Sequence, residues 1–267
     1  MTRTFLALLH FDGRGFVGWQ RQAAGRSVQG DVEAALARLA GAMVPAHAAG
    51  RTDAGVHAAG LGVSFTLPAR WSAPALHRAL NAVLPADCWI AAVHEMADGF
   101  HARRSALFRR YRYVIGTDAA AASPFRRPFE WAVCRTLDAV KLQKAAEEIT
   151  GTHDFQAFAA RGQVKPHYRC RIAVAEWRER PGGAGVVLQI QADRFLHHMV
   201  RMLVGTMVDV ALDRRDPGDM ARLLASTDNQ ATSPPAPAHG LYFVKAGYPP
   251  SAFAVPIEET HGALHDA

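Results

Sequence analysis

The order of periodic segments predicts an α+β protein built as two similar subdomains, each a mixed β-sheet flanked by helices. Three observations lead there. Alternating apolar runs and helical stripes follow one another over the first hundred residues as strand, helix, strand, helix, strand. A second series begins at Arg109 and repeats that flavour without any residue-level repeat. The elements come in split order, which favours two α+β subdomains over a doubly wound sheet. The expected boundary falls between subdomains 1–106 and 107–267.

The elements follow in order. Phe5, Ala7, Leu9 and Phe11 alternate with Leu6, Leu8 and His10 as a strand that turns off at Asp12-Gly13. Ser27 reads as an N-cap, with Val28, Val32, Ala35, Leu36, Leu39 and Met43 at helical spacing behind it. Leu61, Val63 and Phe65 mark a strand, and Ser72 with Pro74 opens a helix through Leu76, Leu80 and Val83. Trp89 to Val93 closes the first series. In the second, Tyr111, Tyr113 and Ile115 share one strand face. A loop from Thr117 to about Phe129 follows, then a helix capped by Asp138 and ended by Gly151. Ile172 to Trp177 and Val186 to Ile190 flank Pro181-Gly182-Gly183 as a hairpin. A long helix striped by Met199, Val200, Leu203, Val204, Met207 and Val208 comes next. Asp216-Pro217 starts a short helix, residues 231–239 form a loop, and Leu241 to Ala246 form the last strand.

Bulk properties narrow the function classes. Hydrophobic residues at 49% and charged residues at 20% exclude a disordered chain. Lys and Arg total 30 against 24 Asp and Glu, a formal charge of +6. Much of the excess is arginine in short clusters: Arg103-Arg104, Arg109 to Arg112 and Arg126-Arg127. Guanidinium forks match phosphate oxygens and stack on bases, so the clusters suggest a nucleic-acid partner, although a basic solvated surface explains them equally well. Three dispersed cysteines form neither a disulfide framework nor a zinc spacing, which suits a reducing cytoplasm. The opening MTRTFLALLHFDG is too short an apolar run for a secretory leader, and no stretch is long enough to span a membrane. A soluble, cytoplasmic protein is expected.

The stretch richest in chemistry is AGRTDAGVHA at residues 49–58. Two glycines flank Arg51 and Asp53, with His57 close behind, and such a loop can push a side chain into a cleft. Asp53 is open between two roles: a nucleophile or general base, and a turn aspartate bonding its own loop. Tyr111 is similarly open between a site residue and a core aromatic. Arg201 lies at the edge of its helix's apolar stripe, from where it can pair with a carboxylate or snorkel to the surface. His197 and His198 are read as adjacent helical residues about 100 degrees apart, which suits packing or phosphate contact better than shared chelation of a metal. No metal is expected.

The segment GRTDAGVHA resembles, without a gap, the catalytic motif of the tRNA pseudouridine synthase A (TruA) family. Further matches follow in family order: FDGRGFVGWQRQ at 11–22, NAVLP at 81–85, FHAR at 100–103, RRYRY at 109–113, FLHHMVR at 195–201 and GLYFV at 240–244. Phe11 stands where the family more often has tyrosine. The resemblance implies a pseudouridine-synthase fold with an active-site cleft between the subdomains, and isomerisation of uridine to pseudouridine in the tRNA anticodon stem-loop at positions 38, 39 and 40. It implies Asp53 as the catalytic carboxylate, Tyr111 against the target base, and Arg201 as the partner of Asp53, all three converging in that cleft. Arg51 would hold the flipped base or its vacated space, and Leu241 would line the uracil pocket. His57, His197, Arg109 and Arg110 are further candidate substrate contacts. No cofactor is implied, and a homodimer is. Two other classes compete: a basic RNA-binding module without catalysis, and a hydrolase with an aspartate nucleophile. The hydrolase would want a second carboxylate near Asp53, and none lies between Met43 and Val63.

Overall fold

In the computed structural model, which describes residues 1–160 and 166–255, the chain divides into two units. Among the described residues, the first comprises 1–109 together with 243–255, and the second lies within 110–242.

In the first unit β1 (Thr2–Phe11) leads through a turn to α1 (Val28–Ala40), whose N-cap Ser27 accepts from Gly30 N at 3.2 Å. The helix stops at Gly41, left-handed at φ 76°. A two-residue strand β2 (His47–Ala48) precedes β3 (His57–Pro68), then come α2 (Ala73–Val83) and β4 (Cys88–Met96). Ser72 caps α2 with Pro74 in its first turn, where a missing N–H costs nothing. Antiparallel β3 and β4 pair with opposite edges of β1. α2 packs on β4 and α1 on α2, so Phe5, Leu9, Leu36, Leu61, Leu76 and Leu80 are buried in one core.

The second unit begins within β5 (Phe108–Gly116), against which β6 (Trp131–Ala132) runs parallel. Asp138 accepts from Lys141 N at 3.0 Å and starts α3 (Ala139–Glu148). Gly151, expected only to end that helix, begins a strand, β7 (Gly151–Asp154). β8 (Arg169–Glu179) and β9 (Gly185–Ala192) form the expected antiparallel hairpin, and the order within this unit is β5-β9-β8-β7. α4 (Met199–Ala211) has eleven of its thirteen residues buried, which makes it a core helix rather than an amphipathic surface one. A short α5 (Asp219–Leu224) starts three residues after Asp216, whose carboxylate accepts from Gly218 N.

The last strand, β10 (Leu241–Gly247), corrects the expected boundary. From Phe243 the chain belongs to the first unit, because β10 hydrogen-bonds to β3. Sequence periodicity marks a strand but not its partner, and an exposed strand edge recruits whatever segment can complete it.

Candidate active site

Asp53 sits half-buried in a loop that the backbone holds from one side. The turn after β1 runs alongside it: Trp19 N donates to Thr52 O at 3.1 Å, and Gly18 forms an isolated antiparallel bridge with Asp53. Gly18 is required twice over. Its φ is +113°, and a Cβ there would lie 2.6 Å from Thr52 O. Within the loop, Val56 N donates back to Asp53 O at 3.2 Å. His57, a candidate substrate contact, is only 2% exposed, and its Nδ1 accepts from Gly13 N at 3.1 Å. It therefore tethers the far end of the loop to the turn after β1. Asp12 lies beside it; burial would raise the Asp12 carboxyl, but hydrogen bonds from Arg14 outweigh that and hold it below the usual carboxylate range. Arg51 stands exposed two residues before Asp53.

One supporting residue escaped sequence reasoning. Glu33 lies on α1 at 3% exposure, and its Oε1 accepts from Ala46 N at 3.1 Å and from Gln29 Nε2 at 3.0 Å. Its Oε2 is 3.2 Å from Arg21 Nε. Gln29 in turn bonds the 19–21 segment twice, donating its N–H to Trp19 O at 2.9 Å and accepting from Arg21 N at 3.2 Å. The chain just before the Asp53 loop and the segment alongside it thus share one buried carboxylate. A glutamate at an otherwise apolar helical position, next to Val32 and Leu36, was the available signal.

In the second unit Tyr111 is 8% exposed, and its ring meets Phe195 edge-on with centroids 5.1 Å apart. Tyr113 and Ile115 on the same strand face are fully buried, and Tyr113 donates to Pro237 O at 2.7 Å. Arg201 and Asp209 alone on α4 escape full burial. Arg201 Nε donates to Ala236 O at 2.8 Å while Ala236 N donates to Arg201 O at 2.9 Å, a reciprocal pair that docks the 231–239 loop on the helix. That docking needs Gly205, where a Cβ would sit 2.2 Å from Pro234 O. His239 at the end of this loop titrates below the ordinary histidine range, mainly through burial, then through the Arg127 and Arg201 charges. Leu241 is 6% exposed at the head of β10.

The histidine pair departs from expectation. His197 and His198 precede α4 rather than lie on it, and His198 is its N-cap at φ 63°, left-handed for a non-glycine residue. The reversal brings the two rings to 4.0 Å, where successive helical side chains would diverge. His197 is exposed.

Two candidate RNA-contact arginines are engaged by the protein itself. Arg109 donates to three backbone carbonyls: Ala49 at 3.1 Å, Ala106 at 3.2 Å, and Arg103. Arg110 donates to Gln191 Oε1 through Nε and an Nη, at 3.0 and 2.8 Å.

Known proteins resemble this chain over nearly its whole length. A family model described as tRNA pseudouridine synthase matches residues 145–249. Proteins named tRNA pseudouridine synthase A from Moorella thermoacetica and Thermus thermophilus are both 39% identical, over 90% and 92% of this chain and 97% of their own. One of the same name from Roseiflexus castenholzii is 41% identical over 92% of this chain and 91% of its own. Identity of this extent places the chain in the tRNA pseudouridine synthase A family.

Proposed function

We infer that the protein is a tRNA pseudouridine synthase, an isomerase converting uridine in tRNA to pseudouridine. Family membership supports the reaction and the substrate class. The N1–C1′ bond of the nucleotide breaks, the uracil turns, and C5 joins C1′; N1 gains a proton and C5 loses one. Nothing is oxidised or reduced, and no group leaves the molecule. The non-catalytic RNA-binding alternative is disfavoured by membership of an enzyme family.

The finer reading is our proposal. Asp53 supplies the carboxylate, as a nucleophile at C1′ or as the base that removes a ribose proton. The observation that supports it is a half-buried acidic side chain on a loop braced by Gly18, Trp19 and His57. Such bracing limits the movement a reacting group would otherwise lose on binding substrate. A stacked uridine must first be flipped out, at a cost of roughly a few kcal/mol, and Arg51, exposed beside Asp53, suits the vacated space. Tyr111 and Leu241 contact the base, His197 contacts the RNA, and Arg201 contributes its charge to the ionised site. The substrate region is the anticodon stem-loop at positions 38, 39 and 40, and the working form is a cytoplasmic homodimer. No helix of the described residues is long and apolar enough to cross a membrane.

The test is pseudouridine mapping of unmodified tRNA transcripts after incubation with the protein. Pseudouridine at positions 38 to 40 agrees with the proposal. Product elsewhere in the tRNA would overturn the regional assignment, and free uracil would indicate a hydrolase.

A further inference from the structure

A second feature of the first unit stands outside the Asp53 loop. The imidazoles of His47, on β2, and His101 stack with centroids 4.7 Å apart and planes 20° from parallel. His47, Arg103 and Arg104 are exposed, and His101 is half-buried. One buried hydroxyl holds both histidine segments: Ser64, 2% exposed on β3, donates to His47 O at 3.5 Å and accepts from Ala102 N at 3.0 Å. His101 Nδ1 accepts from Arg103 N at 3.1 Å, which fixes the turn. The Arg109 guanidinium then ties the carbonyls of Arg103 and Ala106 to that of Ala49, on the stretch entering the Asp53 loop. The two rings and the backbone turn that carries the two arginines are therefore positioned by the fold.

The chemistry of these four side chains narrows the partner. His101 titrates below the ordinary histidine value through burial, then through the charges of Arg104, His47 and Arg103, so its ring is mostly neutral at pH 7. Two stacked imidazoles make a surface on which an unpaired base can lie, as aromatic and arginine planes do for single-stranded RNA. Flanking guanidiniums match the phosphates on either side of such a base. An apolar protein partner would gain little from two arginines without an ion pair among the described residues, whereas a polyanion gains from both.

We propose that His47, His101, Arg103 and Arg104 form an RNA-contact platform, taking an unpaired base of the substrate on the imidazole stack and its adjoining phosphates on the arginines. This rests on tRNA being the substrate. It assigns to residues outside the reacting centre a share of the affinity and a preference for a locally single-stranded segment.

The experiment measures equilibrium affinity of an unmodified tRNA transcript across a salt series, with sedimentation of each protein alone. The proteins are wild type, Arg103→Ala/Arg104→Ala, His47→Ala, and a charge-matched control, Arg70→Ala/Arg78→Ala, at exposed arginines elsewhere in the unit. The platform predicts about tenfold or greater weakening in the arginine double variant. Its log–log salt slope should be shallower by about 1.4, at roughly 0.7 per phosphate contact. His47→Ala, whose exposed side chain can be truncated without opening the core, should weaken binding roughly five- to hundredfold with the slope retained. Patch variants indistinguishable from the control would overturn the proposal. A lowered sedimenting mass with unchanged RNA affinity would overturn it in favour of an interface between copies of this chain. Wild type that binds tRNA but makes no pseudouridine would defeat the enzymatic reading, while the affinity comparison would still decide the platform.

Discussion

The buried carboxylate of Glu33 accepts a hydrogen bond from the backbone N–H of Ala46 at 3.1 Å, on the chain leading into the loop that bears Asp53. The same carboxylate lies 3.2 Å from Arg21 Nε, so one side chain on α1 serves the segment before the loop and the segment beside it. Such anchoring matters because the candidate carboxylate belongs to a loop and not to a regular element.

Glu33→Ala leaves Ala46 N and Gln29 Nε2 without their buried acceptor, a loss of about 1–3 kcal/mol. At about 2–4 °C per kcal/mol for a chain of this size, the melting temperature should fall by roughly 2–12 °C in a thermal scan. Glu33→Gln keeps an amide oxygen for Ala46 and should lose less. Equal losses in the two variants would mean that the charge, not the acceptor, is what matters.

Gly18→Ala places a methyl group 2.6 Å from Thr52 O at a backbone angle that only glycine adopts easily. The turn must shift away from the Asp53 loop, and displacement of about 1 Å at a reacting group can cost on the order of a hundredfold in rate. Turnover on tRNA should fall by that order. Gly99→Ala also forces a side chain onto a positive φ, +77°, but meets nothing within 4 Å, so it should lower stability slightly and leave turnover near wild type. Equal effects on turnover from both would show that strain alone is at work.

Arg201→Ala removes the donor to Ala236 O and should loosen the 231–239 loop as well as abolish most activity. Arg201→Lys keeps a positive charge without the guanidinium geometry. If the charge is what the reaction uses, the lysine variant should regain at least tenfold in turnover over alanine while both lose similar thermal stability. No recovery would confine Arg201 to docking the loop.

Thiol chemistry gives an independent check on burial. The Cys88 thiol is pushed up to about 12, by burial first and then by the neighbouring Asp87 and Asp31 charges, so it stays protonated across the neutral range. Cys134 is exposed. Alkylation of the native protein at pH 8, read by peptide mass spectrometry, should label Cys134 well before Cys88. Early labelling of Cys88 would contradict the placement of β4.

The starts of α1, α2 and α3 were legible because each has a side-chain acceptor in sequence: Ser27, Ser72 and Asp138 all cap where a local reading places them. The strands of both units were legible from alternation, except β2, β6 and β7, which are too short to show a period. What failed was non-local. The partner of β10 depends on which edge is open, and the left-handed turn at His198 depends on the docking of α4, whose near-complete burial no local stripe announces. At the candidate site, Asp53 stood out as the lone carboxylate in a glycine-flanked loop. The roles of Glu33, His57 and Arg109 as braces could not be read, since each acts on backbone groups remote in sequence: Ala46, Gly13 and Ala49.

The central claim is that Asp53 performs the chemistry. The direct measurement is mass-spectrometric mapping of pseudouridine in unmodified tRNA transcripts after incubation with wild type or with Asp53→Asn, alongside circular dichroism and tRNA affinity for both. The account predicts pseudouridine from wild type and none from Asp53→Asn, with fold and affinity retained. Wild-type levels of pseudouridine from Asp53→Asn would contradict it.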